Sequence, residues 1–278
     1  MIKRKVKEIS IGTVFSGIGS PEQALLRLGH PHKVLFACDN GERMIDIDHA
    51  KEYAHIKTLA SAKEKREYAD NLYASKTRQT NYVQQSYLAN YEVEDNNFYQ
   101  DVILLDGTDY QGKVNLFVGG SPCQSFSIAG ARGGFEDTRG TLFFEYCRLV
   151  KEIQPEVFIY ENVYGVLTHD KVDKTQKYGR TWETMQNVFN ELGYHIAWDV
   201  LDARDYGIPQ GRRRLFVVGF KNEECFKCFS FPKKIKLEDC PLPTIIIRKT
   251  KCSRFFERIV LFSKTKRSSD GFSTPLPT

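Results

Sequence analysis

The sequence has no apolar run approaching the length of a membrane span, and its first residues, MIKRKVKEIS, lack the apolar core of an export signal. Both absences argue against an embedded or exported chain and point to the cytoplasm. Internal repeats and low-complexity tracts are also missing, which excludes a repeat array. The seven cysteines are odd in number and show no framework spacing, so a disulfide scaffold is excluded and reduced thiols fit.

What is present is ordinary for a globular protein: 278 residues, 41% hydrophobic and 27% charged. That length suits one large domain with an appendage. The net charge of +5 is unevenly spread, with 16 Lys+Arg against 6 Asp+Glu in residues 211–278 and 24 against 29 in residues 1–210. A basic end on a neutral-to-acidic body fits a polyanion-binding enzyme, and it fits a solvated basic tail equally well.

Short apolar runs predict strands near 11–15, 34–38, 101–105, 114–118, 157–161, 196–201 and 215–220, alternating with helices at 21–28, 141–153 and 181–192. This alternation predicts an α/β fold, a doubly wound, Rossmann-like and mostly parallel sheet. Residues 45–100 interrupt it with a charged helical insertion holding seven of the fourteen tyrosines. A solvated helical excursion accounts for that insertion better than a nucleic-acid contact does. In such sheets ligands gather outside the carboxyl ends of the strands, which singles out Phe15, Asp39, Asp106, Cys123 and Glu161.

The stretch TVFSGIGSPEQALLRLG (13–29) reads as a strand, a glycine turn and a helix, with Ser20 as cap and Pro21 at the first helical position. Asp39, twenty residues after Gly19, is placed to accept hydrogen bonds from ribose hydroxyls. The third glycine of a dinucleotide fingerprint is replaced by Glu22, whose carboxylate would repel a pyrophosphate. An adenosine ligand without phosphates then fits best, and S-adenosylmethionine is one. Asp106 is expected at its adenine amino group, and Phe15 offers a stacking face.

Cys123 follows a predicted strand in GGSPCQSFSIAG, Glu161 ends another in PEVFIYENV, and YGIPQGRRRLFVVGF sets Arg212 and Arg214 on one face of an extended segment. Each has a plain reading: an inert thiol, a turn cap and a solvated basic turn. Together with a sulfonium donor they suggest one chemistry. A thiolate adding to carbon 6 of cytosine gives carbon 5 enamine character, so that it can attack a methyl group. Glu161 would bind N3 and the exocyclic amine, and Arg214 the ring oxygen O2. The base must be flipped out of a duplex, and the glycine-rich stretch 124–140 would close over it.

These residues resemble the DNA (cytosine-5) methyltransferase family. FSGIG, Asp39 and Asp106, PCQ, ENV and QGRRR appear in that family's order, and GFEDTRGTLFFE (134–145) and DYGIPQ (205–210) are similar to it as well. The resemblance covers about residues 10–220 outside the insertion. It implies transfer of a methyl group from S-adenosylmethionine to carbon 5 of cytosine in double-stranded DNA. Cys123 would be the nucleophile, Glu161 the stabilising acid, and Arg212 and Arg214 the base or backbone contacts. Phe15, Ser16, Gly17, Ile18, Gly19, Asp39, Asp106 and Pro122 would form the donor site, with Gln124, Ser127 and Arg139 contacting nucleic acid or belonging to the lid. A bacterial or phage modification enzyme of a restriction-modification system is the setting implied; a relative that methylates RNA is the alternative substrate class.

Residues 1–220 are therefore expected to be the catalytic domain and 221–278 an atypical C-terminal segment. No target-recognition region or closing donor-site motif is recognisable in 221–278. Three readings remain open: a second chain supplies both, the chain is truncated, or it is a non-catalytic subunit. Cys225, Cys228, Cys240 and Cys252 are read as ordinary thiols rather than a zinc site.

Overall fold

The structure, a computed structural model, describes residues 7–122, 142–171, 173, 175–208 and 210–235. One sheet organises them. Its strands are β1 (Ile9–Val14), β2 (His32–Cys38), β3 (Phe98–Tyr99), β4 (Leu116–Gly119), β5 (Val157–Val163), β6 (His195–Asp202) and β7 (Arg213–Phe220). They lie in the order β3-β2-β1-β4-β5-β7-β6, parallel except for β7, which runs antiparallel to both neighbours. The expected mostly parallel, doubly wound sheet is present.

Alternation along the strands explains why both faces are covered. Leu116 and Val157 enter one apolar cluster, while Phe117 and Phe158 enter the other. Helix α1 (Ser20–Arg27) covers the first face with Leu25. Helices α5 (Leu142–Ile153) and α6 (Arg180–Glu191) cover the second. The buried residues of α6, Trp182, Met185, Val188 and Phe189, recur at helical spacing, and those of α5 include Phe143, Tyr146, Cys147 and Val150.

The crossover from β2 to β3 contains α2 (His49–Ile56), α3 (Ala62–Lys76) and α4 (Tyr82–Asn90), each capped by a side chain: Asp48, Ser61 and Asn81. Helix α4 packs Tyr87 on Ala37 and Phe98, whereas α2 and α3 enclose Leu104 with Ile56 and Ala69. The insertion is helical, as expected, but it is not a solvated excursion.

Three local expectations differ. Residues 101–105 form no strand. Side chains take up three of their backbone groups instead: Asp101 Oδ1 accepts from Ile103 N, and the Arg148 guanidinium donates to the carbonyls of Val102 and Leu105 at 2.9 and 3.0 Å. Ser20 does not cap α1; Gly19, at φ 81°, precedes the helix without a side-chain cap. Glu22 turns into the interior, fully buried, where Oε1 accepts from Tyr87 Oη at 2.7 Å. It ties α1 to α4 rather than presenting a charge at the turn.

Helix α7 (Glu223–Cys228) follows β7, and Cys225, Phe226, Phe229 and Phe231 pack against the cluster that holds Phe220. The packed unit thus runs past the boundary expected at 220. Residues 236–278 lie outside the described residues, as do Cys240 and Cys252.

Candidate active site

The carboxyl ends of β1, β2, β4 and β5 open on one side of the sheet, and the start of antiparallel β7 joins them there. The turn after β1 is held by the end of β2. Ser16 is buried, and its Oγ accepts from Cys38 N at 3.1 Å, while Ser16 N donates to Cys38 O at 3.1 Å. Phe15 adopts φ 53°, a region costly for a residue with a side chain, followed by Gly17 at φ 52°. Asp39 pins the turn, its Oδ2 accepting from Gly17 N and its Oδ1 from Gly41 N, each at 2.9 Å. Ile18 stands exposed at the lip.

Asn81, at the start of α4, donates to the Asp39 carbonyl at 2.9 Å, and Tyr91 Oη donates to the Gly19 carbonyl at 3.0 Å. Neither residue was singled out in the sequence, since such contacts join positions 42 and 72 residues apart.

Because β3 ends at Tyr99, the acid at its carboxyl end is Asp101, not Asp106. Asp101 Oδ2 accepts from Tyr73 Oη at 3.0 Å and faces His49 Nε2 at 3.2 Å. Asp106 lies farther along the loop with its side chain 2% exposed, bound by Lys57 at 2.8 Å and Lys65 at 2.7 Å. Thr108 donates to it from both N and Oγ1. Burial works against its charge, but the two ammonium groups and Thr108 prevail and hold the carboxyl well below the usual range. Asp106 thus takes part in a buried ion cluster with Lys57 and Lys65, braced by Thr108.

At the β4–β5 junction, Gly119 pairs with Tyr160. A Cβ on Gly120 would stand 2.7 Å from the Glu161 carbonyl oxygen and 3.0 Å from its Oε2, so only glycine allows this approach. Asn162 is buried and donates through Nδ2 to Ser121 O at 3.1 Å and to Tyr160 Oη at 2.7 Å. Ser121 Oγ and Tyr160 Oη share a hydrogen bond of 2.7 Å. This network fixes the chain up to exposed Pro122. Cys123, Gln124, Ser127, Arg139 and the stretch 124–140 fall outside the described residues.

Glu161 forms an ion pair with Arg214. Burial raises its pKa above the ordinary value, while Arg214 and then Arg212 pull it back. Arg212 itself is exposed, and Arg213 turns to the other side, over the Tyr164 ring at 4.4 Å.

Among the described cysteines, Cys38 and Cys147 are buried, and Cys225 and Cys228 are half-buried in α7. Cys147 is buried in α5, and desolvation pushes its thiol well above the ordinary range. Among the described residues no group of three or more His, Cys, Asp or Glu side chains is arranged to hold a metal ion. No helix among them is long and apolar enough to cross a membrane.

Known proteins resemble this chain in sequence. A family model for C-5 cytosine-specific DNA methylase matches residues 47–251. The type II methyltransferase M.NlaIV of Neisseria lactamica is 43% identical over 149 residues, which are 52% of this chain and 35% of that protein. The orphan methyltransferase M.SPRI of Bacillus phage SPR is 43% identical over 148 residues, 51% of this chain and 32% of that protein. The chain thus matches about a third of the length of these curated relatives. A solved structure of the S. pombe Dnmt2 methyltransferase aligns with 84% of this chain and 53% of its own, at 17% identity and a TM-score of 0.47. With most of its length matched by the family model, the chain belongs to the C-5 cytosine-specific DNA methylase family.

Proposed function

We propose that this chain carries the donor site and catalytic residues of a DNA cytosine-5 methyltransferase that uses S-adenosylmethionine and acts on double-stranded DNA. The observation that carries the reading is the closeness of Gly120 to Glu161. Cys123 follows Gly120 by three residues in the sequence, and the proposal sets its thiol beside the Glu161 carboxyl group.

The donor would supply an electrophilic methyl group, and the residues present suit it. The turn Phe15–Gly19, with Asp39 pinned beneath it and Asp101 at the end of β3, offers acids and a stacking ring to an adenosine. In this proposal Asp101 takes the place first given to Asp106, while Ser16 shapes the turn through its bonds to Cys38 and Pro122 lines the approach.

For the base, Cys123 as thiolate adds to carbon 6, and Glu161 holds N3 and the exocyclic amine. Arg214 keeps Glu161 oriented and faces O2, while exposed Arg212 is free to meet the DNA backbone. Carbon 5 takes the methyl group as S-adenosylhomocysteine leaves with the electron pair of the broken bond. A base then takes the carbon 5 proton, and the electrons of that bond restore the 5,6 double bond and expel the cysteine as thiolate. Gln124, Ser127 and Arg139 contact DNA or close the pocket. This chemistry is assigned to residues 1–220, with 221–235 bracing the sheet.

The test offers duplex DNA containing 5-fluorocytosine together with S-adenosylmethionine and looks for a covalent protein–DNA adduct. Fluorine blocks the final proton loss, so an active nucleophile stays attached. Cys123→Ala is expected to abolish the adduct and Cys147→Ala to leave it. Adduct formation by the Cys123→Ala chain overturns the assignment, and an adduct on RNA but not on DNA overturns the substrate.

A further inference from the structure

The β2–β3 crossover contacts the donor-side loops at several points, and its α2 and α3 residues converge on one acid. Asp101 is 8% exposed, and its Oδ1 is occupied by Ile103 N at 2.9 Å. Its Oδ2 meets Tyr73 Oη of α3 at 3.0 Å and His49 Nε2 of α2 at 3.2 Å. Tyr73 is 3% exposed, with Arg43 over its ring at 5.1 Å, so ring and hydroxyl are both held. Burial pushes the phenol far above its ordinary pKa, so at any working pH it is a donor toward the carboxylate.

We propose that α2 and α3 form the outer wall of the donor site, with Tyr73 as the positioning residue that orients Asp101 toward the adenosine moiety of the methyl donor and His49 as its second support. The inference rests on the donor reading under Proposed function. Its physical basis is preorganisation. A carboxylate at a strand end has two side-chain torsions to lose on meeting a ligand, and here both are fixed beforehand by groups more than 25 residues away in sequence. Asn81 does the same for the Asp39 loop from the start of α4, so the crossover reaches both donor-side acids.

The experiment titrates the full chain with S-adenosylmethionine and with S-adenosylhomocysteine by calorimetry, comparing wild type, Tyr73→Phe, His49→Ala and Tyr53→Phe. Tyr53 is the control: a tyrosine of α2 whose hydroxyl bonds Glu152 at 3.1 Å and does not touch Asp101. Tyr73→Phe is expected to weaken both ligands on the order of ten-fold, the scale of one hydrogen bond to a charged group. His49→Ala is expected to weaken them less, and Tyr53→Phe to stay within about two-fold, a change too small to reflect a lost bond to a charged group. The turnover rate at saturating donor is expected to change little in Tyr73→Phe, separating positioning from general loosening.

If Tyr73→Phe fails to fold, His49→Ala, at a more exposed position, reads the same acceptor. Wild-type affinity in folded Tyr73→Phe and His49→Ala chains, or an equal loss in Tyr53→Phe, overturns the inference. A wild-type chain that binds neither ligand sinks the donor reading itself, and this inference with it.

Discussion

Arg214 Nε lies 2.9 Å from Glu161 Oε1, a pair formed across the antiparallel junction of β7 and β5. Glu161 stands opposite Phe216 and Arg214 opposite Val163, so the two are diagonal neighbours within reach of a long side chain. The reversal of β7 thus brings an arginine from a strand's start to the carboxyl end of a parallel strand. A parallel β7 would place that arginine at the far edge.

Glu161 has a pKa raised mainly by burial, and that fixes the sign of its effect on stability. Folding favours the protonated form, so its contribution is full at low pH and is lost as pH rises through its folded pKa. At neutral pH the ionised group is a local cost. Glu161→Gln is therefore expected to unfold no earlier than wild type on heating at pH 7, while methyl transfer falls by about 10²-fold or more. A variant that loses activity only in step with stability would contradict this.

Removing Arg214 acts on the same group in a known direction. Without the guanidinium the carboxylate loses its strongest compensating charge, so its pKa rises further. If Glu161 acts as proposed, the limb of the pH–rate profile set by its titration is expected to move to higher pH in Arg214→Ala. In Arg212→Ala the shift is smaller, because that charge is exposed and screened. Rates measured from pH 5 to 9 on all three chains provide the comparison.

The elements legible in the sequence were those specified by neighbours along the chain. The glycine turn of 15–19, the apolar runs of β1, β2, β4 and β5, and the helical spacing of α6 each carry a local signal. Residues 101–105 show the limit. Val102, Leu104 and Leu105 are as buried as strand residues, yet the carbonyls of Val102 and Leu105 turn to Arg148, which lies more than 40 residues on. An apolar run reports burial and not what its backbone bonds to. The same limit moved the β3 acid from Asp106 to Asp101 and hid Asn81, Tyr73 and Tyr160, whose partners are remote. The sequence reading set Glu161 and Arg214 at the same base, but not their ion pair, since ENV and QGRRR lie far apart along the chain.

Asp106 yields a stability prediction. Its folded pKa is depressed, so its contribution is present above the unfolded value of about 4 and is lost as pH falls below it. Asp106→Asn leaves Lys65 with Asp109 at 2.8 Å and lets half-exposed Lys57 return to water. A loss of about 2–4 kcal/mol at pH 7 is expected, toward the lower end for breaking a buried ion pair because one partner is kept. In urea titrations the gap between variant and wild type should narrow from pH 6 to pH 3. A gap independent of pH would mean that the charge of Asp106 is not what stabilises the loop.

Gly120 offers the most direct test of the crevice geometry. An added methyl group would lie 2.7 Å from the Glu161 carbonyl oxygen and 3.0 Å from Oε2. Backbone cannot yield as a flexible side-chain tip can, so the ends of β4 and β5 must separate. Overpacking of this kind costs about 1–3 kcal/mol. The shift also strains the bond from Asn162 to Ser121 O that holds the approach to Pro122. Gly120→Ala is expected to slow adduct formation on 5-fluorocytosine DNA on the order of 10²-fold, the scale known for misplacing a reacting group by about 1 Å. Gly165→Ala, where the new methyl group meets nothing within 4 Å, serves as the matched control. If Gly120→Ala forms the adduct at the wild-type rate, the closeness of Gly120 to Glu161 plays no part in bringing thiol and carboxyl group together.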